Sequence, residues 1–122
     1  MHFLHLTFRV RDIEKSLKFY TEFVGLKILR QEKTDQWEIA FLADKERATQ
    51  IELVYMPNGD TIETKGLTVC FQTDDLDGVR QMAIEKDLNP SEIRIPDATM
   101  RYFYVYDPDR VSIEFKELKS ES

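Results

Sequence analysis

The chain has 122 residues, enough for one domain whose core needs neither disulfides nor a structural metal, and its 42% hydrophobic and 33% charged residues exclude a disordered or collagen-like chain. No apolar run nears the roughly 20 residues of a membrane helix, and 17 Lys and Arg against 23 Asp and Glu, a net charge of -6 without a basic cluster, argue against nucleic acid as a partner. The start MHFLHLTFRV lacks the features of a signal peptide and the lone Cys70 has no partner for an internal disulfide, so the chain reads as cytoplasmic.

A first strand is predicted over about residues 3–10, with Leu4, Leu6, Phe8 and Val10 on one face and His5, Thr7 and Arg9 on the other. Asp12 is the expected N-cap of a helix in which Ile13, Leu17, Tyr20 and Val24 recur at helical spacing and which Gly25 stops. Three strands follow near 26–31, 36–42 and 48–55, separated by polar turns. A strand near 66–73 then leads to a helix capped by Asp74 or Asp75, with Leu76, Val79, Met82 and Ala83 as its apolar stripe and Asn89-Pro90 at its end. A weaker strand pattern at 92–95 precedes RYFYVY at 101–106, a turn at Asp107-Pro108-Asp109-Arg110 and a last strand at 111–116. The tail KELKSES is short and charged, and is expected to fray.

This succession is a repeat. HLTFRVRDI at 5–13 and TVCFQTDDL at 68–76 both alternate and then reach an Asp that opens a helix, at an offset of 63; IELVY at 51–55 and IEFKE at 113–117 match at an offset of 62. Near-equal offsets imply two copies of one βαβββ unit. The expectation is an α+β fold in one domain, 1–122, built of module 1 (1–60) and module 2 (64–118).

Strand alternation then says which side chains share a surface. The apolar phase (Leu6, Phe8, Val10; Ile51, Leu53, Tyr55; Leu67, Val69, Phe71; Val111, Ile113, Phe115) should meet the helices. The opposite phase carries His5, Thr7, Arg9, Glu52, Thr68, Cys70, Gln72, Ser112 and Glu114, with Tyr102, Tyr104 and Tyr106 from the penultimate strand. If the two four-stranded sheets curve, these residues line one concave surface. At equivalent repeat positions stand His5 with Thr68 and Glu52 with Glu114. One imidazole and two carboxylates suit a divalent first-row ion such as zinc, nickel, cobalt or manganese, although a Glu within an I-E-L strand is also an ordinary solvated residue. Cys70 shares that phase, yet a small buried strand residue is the reading expected of it.

These residues carry a family resemblance. HLTFRVRDIEKSLKFYTEFVGLKIL resembles the opening of the glyoxalase I (lactoylglutathione lyase) family and of its superfamily, the vicinal oxygen chelate proteins. TVCFQTDDLDGV resembles the family's second module start, and YDPDRVSIEF its final turn and ligand-bearing strand. The resemblance implies paired βαβββ modules forming an eight-stranded cup around a divalent metal, with His5, Glu52 and Glu114 on ligand positions. Thr68 departs from it, since a second His is usual there; His2 is a conceivable replacement. Arg9 matches an arginine that contacts a glutathione carboxylate, or is an exposed strand charge; the expected asparagine is absent, Met56 standing at its position and Asn58 two residues on.

By that resemblance the chain is a metal-dependent lyase or isomerase acting on a small thiol-conjugated or vicinal-oxygen substrate, with glutathione or another thiol as co-substrate. Glu114 is the implied base, moving a proton through an enediolate, with Glu52 as ligand and possible second base and His5 as ligand only. Thr7, Arg9, Tyr102 and Tyr104 are the implied substrate contacts, although alternating Tyr is also ordinary sheet packing. The alternatives are a noncatalytic ligand-sequestering protein of the same fold, as in bleomycin resistance, and a thiol transferase or dioxygenase relative. Open sheet edges and the family's habit both imply a homodimer.

Overall fold

The computed structural model describes residues 1–46 and 48–119. They divide into two units, Met1–Glu63 and a second that begins at Thr64. The first unit holds β1 (His5–Arg9), α1 (Ile13–Lys18), a π-helical turn over Phe19–Phe23, β2 (Lys27–Lys33), β3 (Glu38–Ala43) and β4 (Gln50–Tyr55). The second holds β5 (Thr68–Gln72), α2 (Leu76–Glu85), β6 (Arg94–Asp97), β7 (Met100–Tyr106) and β8 (Ser112–Leu118). The fold is thus α+β with two tandem βαβββ modules, as the repeat predicts.

Each module closes its own four-stranded sheet, in the order β1-β4-β3-β2 in one and β5-β8-β7-β6 in the other. First and last strands run parallel at the same register: Thr7 faces Glu52 across β1 and β4, and Cys70 faces Glu114 across β5 and β8. The remaining pairs are antiparallel. Because successive side chains alternate, this register commits one phase of every strand to the helix side. Phe8, Val10, Ala40, Leu42 and Leu53 are buried beneath Ile13, Phe19, Tyr20 and Phe23; Phe103, Val105, Val111, Ile113 and Phe115 are buried with Leu76 and Ala83. Removing each such large side chain from water contributes about 1.5–3 kcal/mol.

Several local expectations are corrected. The first helix is α-helical for six residues only, and Val24 N–H then reaches back to the Phe19 carbonyl at 3.1 Å, five residues away. That widening brings Phe19, Tyr20 and Phe23 inward together, so the buried stripe is Ile13, Ser16, Phe19, Tyr20 and Phe23, while Leu17 and Val24 are half-buried. Gly25, at φ 89°, still ends the segment. Asp75, not Asp74, caps α2 by accepting from Gly78 N–H at 3.0 Å. Met82 is exposed, because six residues from Leu76 it is turned about 120° from the Leu76–Ala83 line. The helix ends before Asn89-Pro90: Asp87 adopts φ 57°, and the N–H groups of Asp87 and Leu88 bond the carbonyls of Ile84 and Ala83.

Leu4 lies outside β1 with its side chain exposed, since β4 begins only opposite His5. The last strand runs to Leu118, so the first residues of the predicted tail are paired, and residues 120–122 lie outside the described part. Between β7 and β8, Asp107 is buried, and its Oδ1 accepts from the N–H groups of Asp109 (2.8 Å) and Val111 (2.9 Å). Arg110 takes φ 66° in that turn. No helix is long and apolar enough to cross a membrane among the described residues.

Candidate functional site

In the first unit the parallel register of β1 and β4 sets the geometry. Thr7 Oγ1 donates to Glu52 Oε1 at 2.5 Å, and His5 Nε2 lies 3.5 Å from that same oxygen. The Glu52 side chain is 15% exposed and the His5 side chain 33%, so the carboxylate sits at the base of the cluster with the imidazole toward solvent. Phe41, the β3 partner of Glu52, meets the His5 ring edge-on at 5.7 Å. The Arg30 guanidinium lies over the Phe41 ring, 4.4 Å from its centroid. Neither Phe41 nor Arg30 is foreseen from the sequence, although repeat register offers a signal, because Phe41 stands opposite Glu52 as Tyr104 stands opposite Glu114. Arg9, exposed on the β1 face of His5 and Thr7, has no carboxylate partner among the described residues.

The second unit repeats the register with different chemistry. Thr68 Oγ1 donates to Ser112 Oγ at 3.3 Å, where the first unit has His5 opposite Gln50. Glu114, 12% exposed at its side chain, holds the Lys116 ammonium 3.6 Å from Oε2. Tyr104 is the β7 partner of Glu114 and Tyr102 that of Lys116; the two rings meet edge-on at 5.7 Å. Burial, then the charge of Glu114, pushes the Tyr104 hydroxyl up. Tyr106 is exposed beneath the Arg110 guanidinium, 4.7 Å from its ring centroid. Cys70 corrects an expectation: it is exposed, because its strand phase points away from α2 and onto the Glu114 face. Packing around its sulfur, and then the Glu114 charge, pushes its thiol up. His2, ahead of β1, is exposed.

The donor sets of the two units differ in how they suit a metal ion. The His5 nitrogen and Glu52 oxygen are a fitting pair for a divalent first-row ion. In the second unit a neutral hydroxyl replaces the imidazole, and the carboxylate already carries an ammonium. Among the described residues no group of three or more His, Cys, Asp and Glu side chains gathers as a metal cluster. A separate depression of about 400 Å³ in the first unit, bounded by Arg11, Asp12, Glu14, Trp37, Tyr55 and Pro57, includes none of these candidates.

Comparison with known proteins places these features. The family model described as the Glyoxalase/Bleomycin resistance protein/Dioxygenase superfamily matches residues 2–115. The lactoylglutathione lyase of Haemophilus influenzae is 31% identical over 132 aligned positions, covering 98% of this chain and 95% of that one. That of Escherichia coli O157:H7 is 29% identical, covering 98% and 94%. Among solved structures, the trypanothione-dependent glyoxalase I of Leishmania major superposes with a TM-score of 0.75 at 27% identity, covering 98% of this chain and 86% of that one. TnmS3, an antibiotic binding protein from Streptomyces sp. CB03234, superposes at 0.78 with 23% identity, covering 98% and 97%.

Proposed function

Because the chain belongs to the glyoxalase/bleomycin resistance protein/dioxygenase superfamily, we propose that it is a metal-dependent lyase or isomerase of the lactoylglutathione lyase type, acting on a small thiol-conjugated substrate. The observation that carries this reading is the His5–Glu52 pair, 3.5 Å apart, with Glu114 at the register-equivalent position of the second module. The relatives named lactoylglutathione lyase that match nearly the whole chain support it.

This reading takes His5 and Glu52 of the first module and Glu114 of the second as ligands for nickel, zinc, cobalt or manganese. Bound there, such an ion supplies Lewis-acid polarisation of a substrate oxygen. The two carboxylates divide the remaining work by their neighbours. Glu52 accepts a short hydrogen bond from Thr7, which fixes its orientation and occupies Oε1, whereas the equivalent neighbour of Glu114 is Cys70, whose thiol is a weak donor. By the family resemblance Glu114 is the group that takes a proton from the carbon beside the substrate carbonyl and returns it to the adjacent carbon, with the Lys116 ammonium 3.6 Å from its Oε2. Arg9 pairs with a carboxylate of the thiol moiety, and Tyr102 and Tyr104 orient the substrate against Glu114. The same reading takes the protein as a cytoplasmic homodimer, with a solution mass of two chains by light scattering as its check.

The test is elemental analysis of protein purified without chelator, alongside turnover of the hemithioacetal of a 2-oxoaldehyde and glutathione. Bound metal that is lost in His5→Ala is expected, as is a fall in turnover by a factor of about 10²–10⁴ in Glu114→Gln. Absence of both metal and turnover after addition of all four ions would defeat the proposal. The observation that Thr68 stands at one ligand position of the second module, and that Lys116 already pairs with the carboxylate at the other, favours a second reading, a noncatalytic ligand-binding protein such as TnmS3 is described to be. Under it Glu114→Gln would leave ligand affinity intact and there would be no turnover to lose.

A further inference from the structure

We propose that Lys116 is a resident cation on Glu114, so that its ammonium and a divalent metal ion are alternatives at that carboxylate and Lys116 sets the metal affinity of the second module. The proposal rests on the reading of Glu114 as a metal ligand.

Three observations carry it. Ser112, Glu114 and Lys116 alternate along β8 onto one face, and a spacing of two residues, roughly 6.8 Å, is short enough for a lysine stem to fold its ammonium back onto the carboxylate. Lys116 Nζ does so, 3.6 Å from Glu114 Oε2, and it also lies over the Tyr102 ring, 6.0 Å from its centroid. Both side chains are substantially covered, at 31% and 12% exposure, so bulk solvent screens the pair only in part.

The repeat supplies the contrast. The first module has Val54, buried, two residues beyond Glu52. Glu52 accordingly meets a neutral hydroxyl and an imidazole, both compatible with an incoming ion. Glu114 meets a fixed positive charge that repels a second one. A divalent ion binding at Oε2 has to displace Lys116, and one binding at Oε1 still meets its charge, so the ammonium lowers the affinity either way.

The experiment measures zinc and nickel affinity by competition with a chromogenic chelator for the parent chain, Lys116→Met and Lys116→Arg, with circular dichroism to verify folding. Lys116→Met should bind about three- to fivefold more tightly, the size of one partly shielded ion pair, and Lys116→Arg should stay near the parent. Adding Glu114→Gln to Lys116→Met should erase the gain. Lys116→Gln serves the same purpose if the methionine variant does not fold. Equal affinity in the parent and the charge-removed variants overturns the role of Lys116 and leaves the metal reading standing. No metal bound by any of them overturns both.

Discussion

Replacing Asp107 with alanine tests whether one buried carboxylate holds the turn that delivers β8 and Glu114. Its Oδ1 accepts two backbone N–H groups, from Asp109 at 2.8 Å and Val111 at 2.9 Å, and both residues are buried, Val111 completely. A buried donor left without an acceptor costs about 1–3 kcal/mol, so two such donors set a range of about 2–6 kcal/mol, and water entering the vacated space brings the expectation to about 3 kcal/mol. At about 3–5 °C per kcal/mol for a chain of this size, the melting temperature should fall by roughly 10–15 °C. Asp107→Asn keeps an oxygen acceptor and should lose about half as much. Urea unfolding followed by circular dichroism reads both values, with an unchanged denaturant slope as the sign that only stability has moved. A loss below about 1 kcal/mol for Asp107→Ala, or equal losses for Ala and Asn, would refute the assignment of Oδ1 as the organising acceptor.

Three further outcomes are expected. The Glu117 carboxyl is held below its ordinary 4.5, first by the Leu76 N–H and then by Arg101. A lowered folded value means stabilisation that is complete above pH 4.5 and fades as pH drops through that lower value, so urea midpoints of the parent and Glu117→Gln should converge on acidification; a constant gap would contradict this. Cys70 should react faster with iodoacetamide at neutral pH in Glu114→Gln, because removing the carboxylate lowers a thiol that packing and then Glu114 push up, and mass spectrometry would expose the error if the rates matched. Thr68→His restores an imidazole at the repeat equivalent of His5 and should tighten zinc or nickel binding at least about tenfold, as read by chelator competition. Unchanged affinity there would place Thr68 outside any ligand position.

The tandem modules, their element order and the polar phase of each strand were legible because a period-2 pattern repeated at a fixed offset leaves one register that turns the apolar phases to the helix side, although Leu67, Val69 and Phe71 are only half-buried there. His5, Thr7 and Glu52 meet for that reason. The π-helical turn was not legible, since whether Val24 bonds Phe19 or Tyr20 depends on how three aromatic rings pack against β-strand residues distant in sequence. Lys116 escaped notice because it opens the charged tail KELKSES, although the strand expected over 111–116 already sets it in phase with Glu114, and the structure pairs that strand as far as Leu118. Cys70 was misjudged from residue type, although its strand phase already set it opposite Glu114. Phe41 required the β3–β4 register, which no local pattern specifies.

The parallel pairing of first and last strands has a consequence for how the molecule assembles. Thr7 and Glu52 are 45 residues apart, and Thr68 and Ser112 are 44 apart, so each module closes through contacts among its most distant segments. Such closure loses chain entropy before any ladder bond compensates, and topologies dominated by it fold in roughly milliseconds to seconds rather than microseconds. Antiparallel neighbours such as β2–β3 and β7–β8 lie close in sequence and can form ahead of it. The candidate residues occupy the seam that this last step zips, β1 against β4 and β5 against β8. A chain stalled with only its hairpins formed would have a sheet but no site, and recovery of His5–Glu52 chemistry during refolding would report completion of the module.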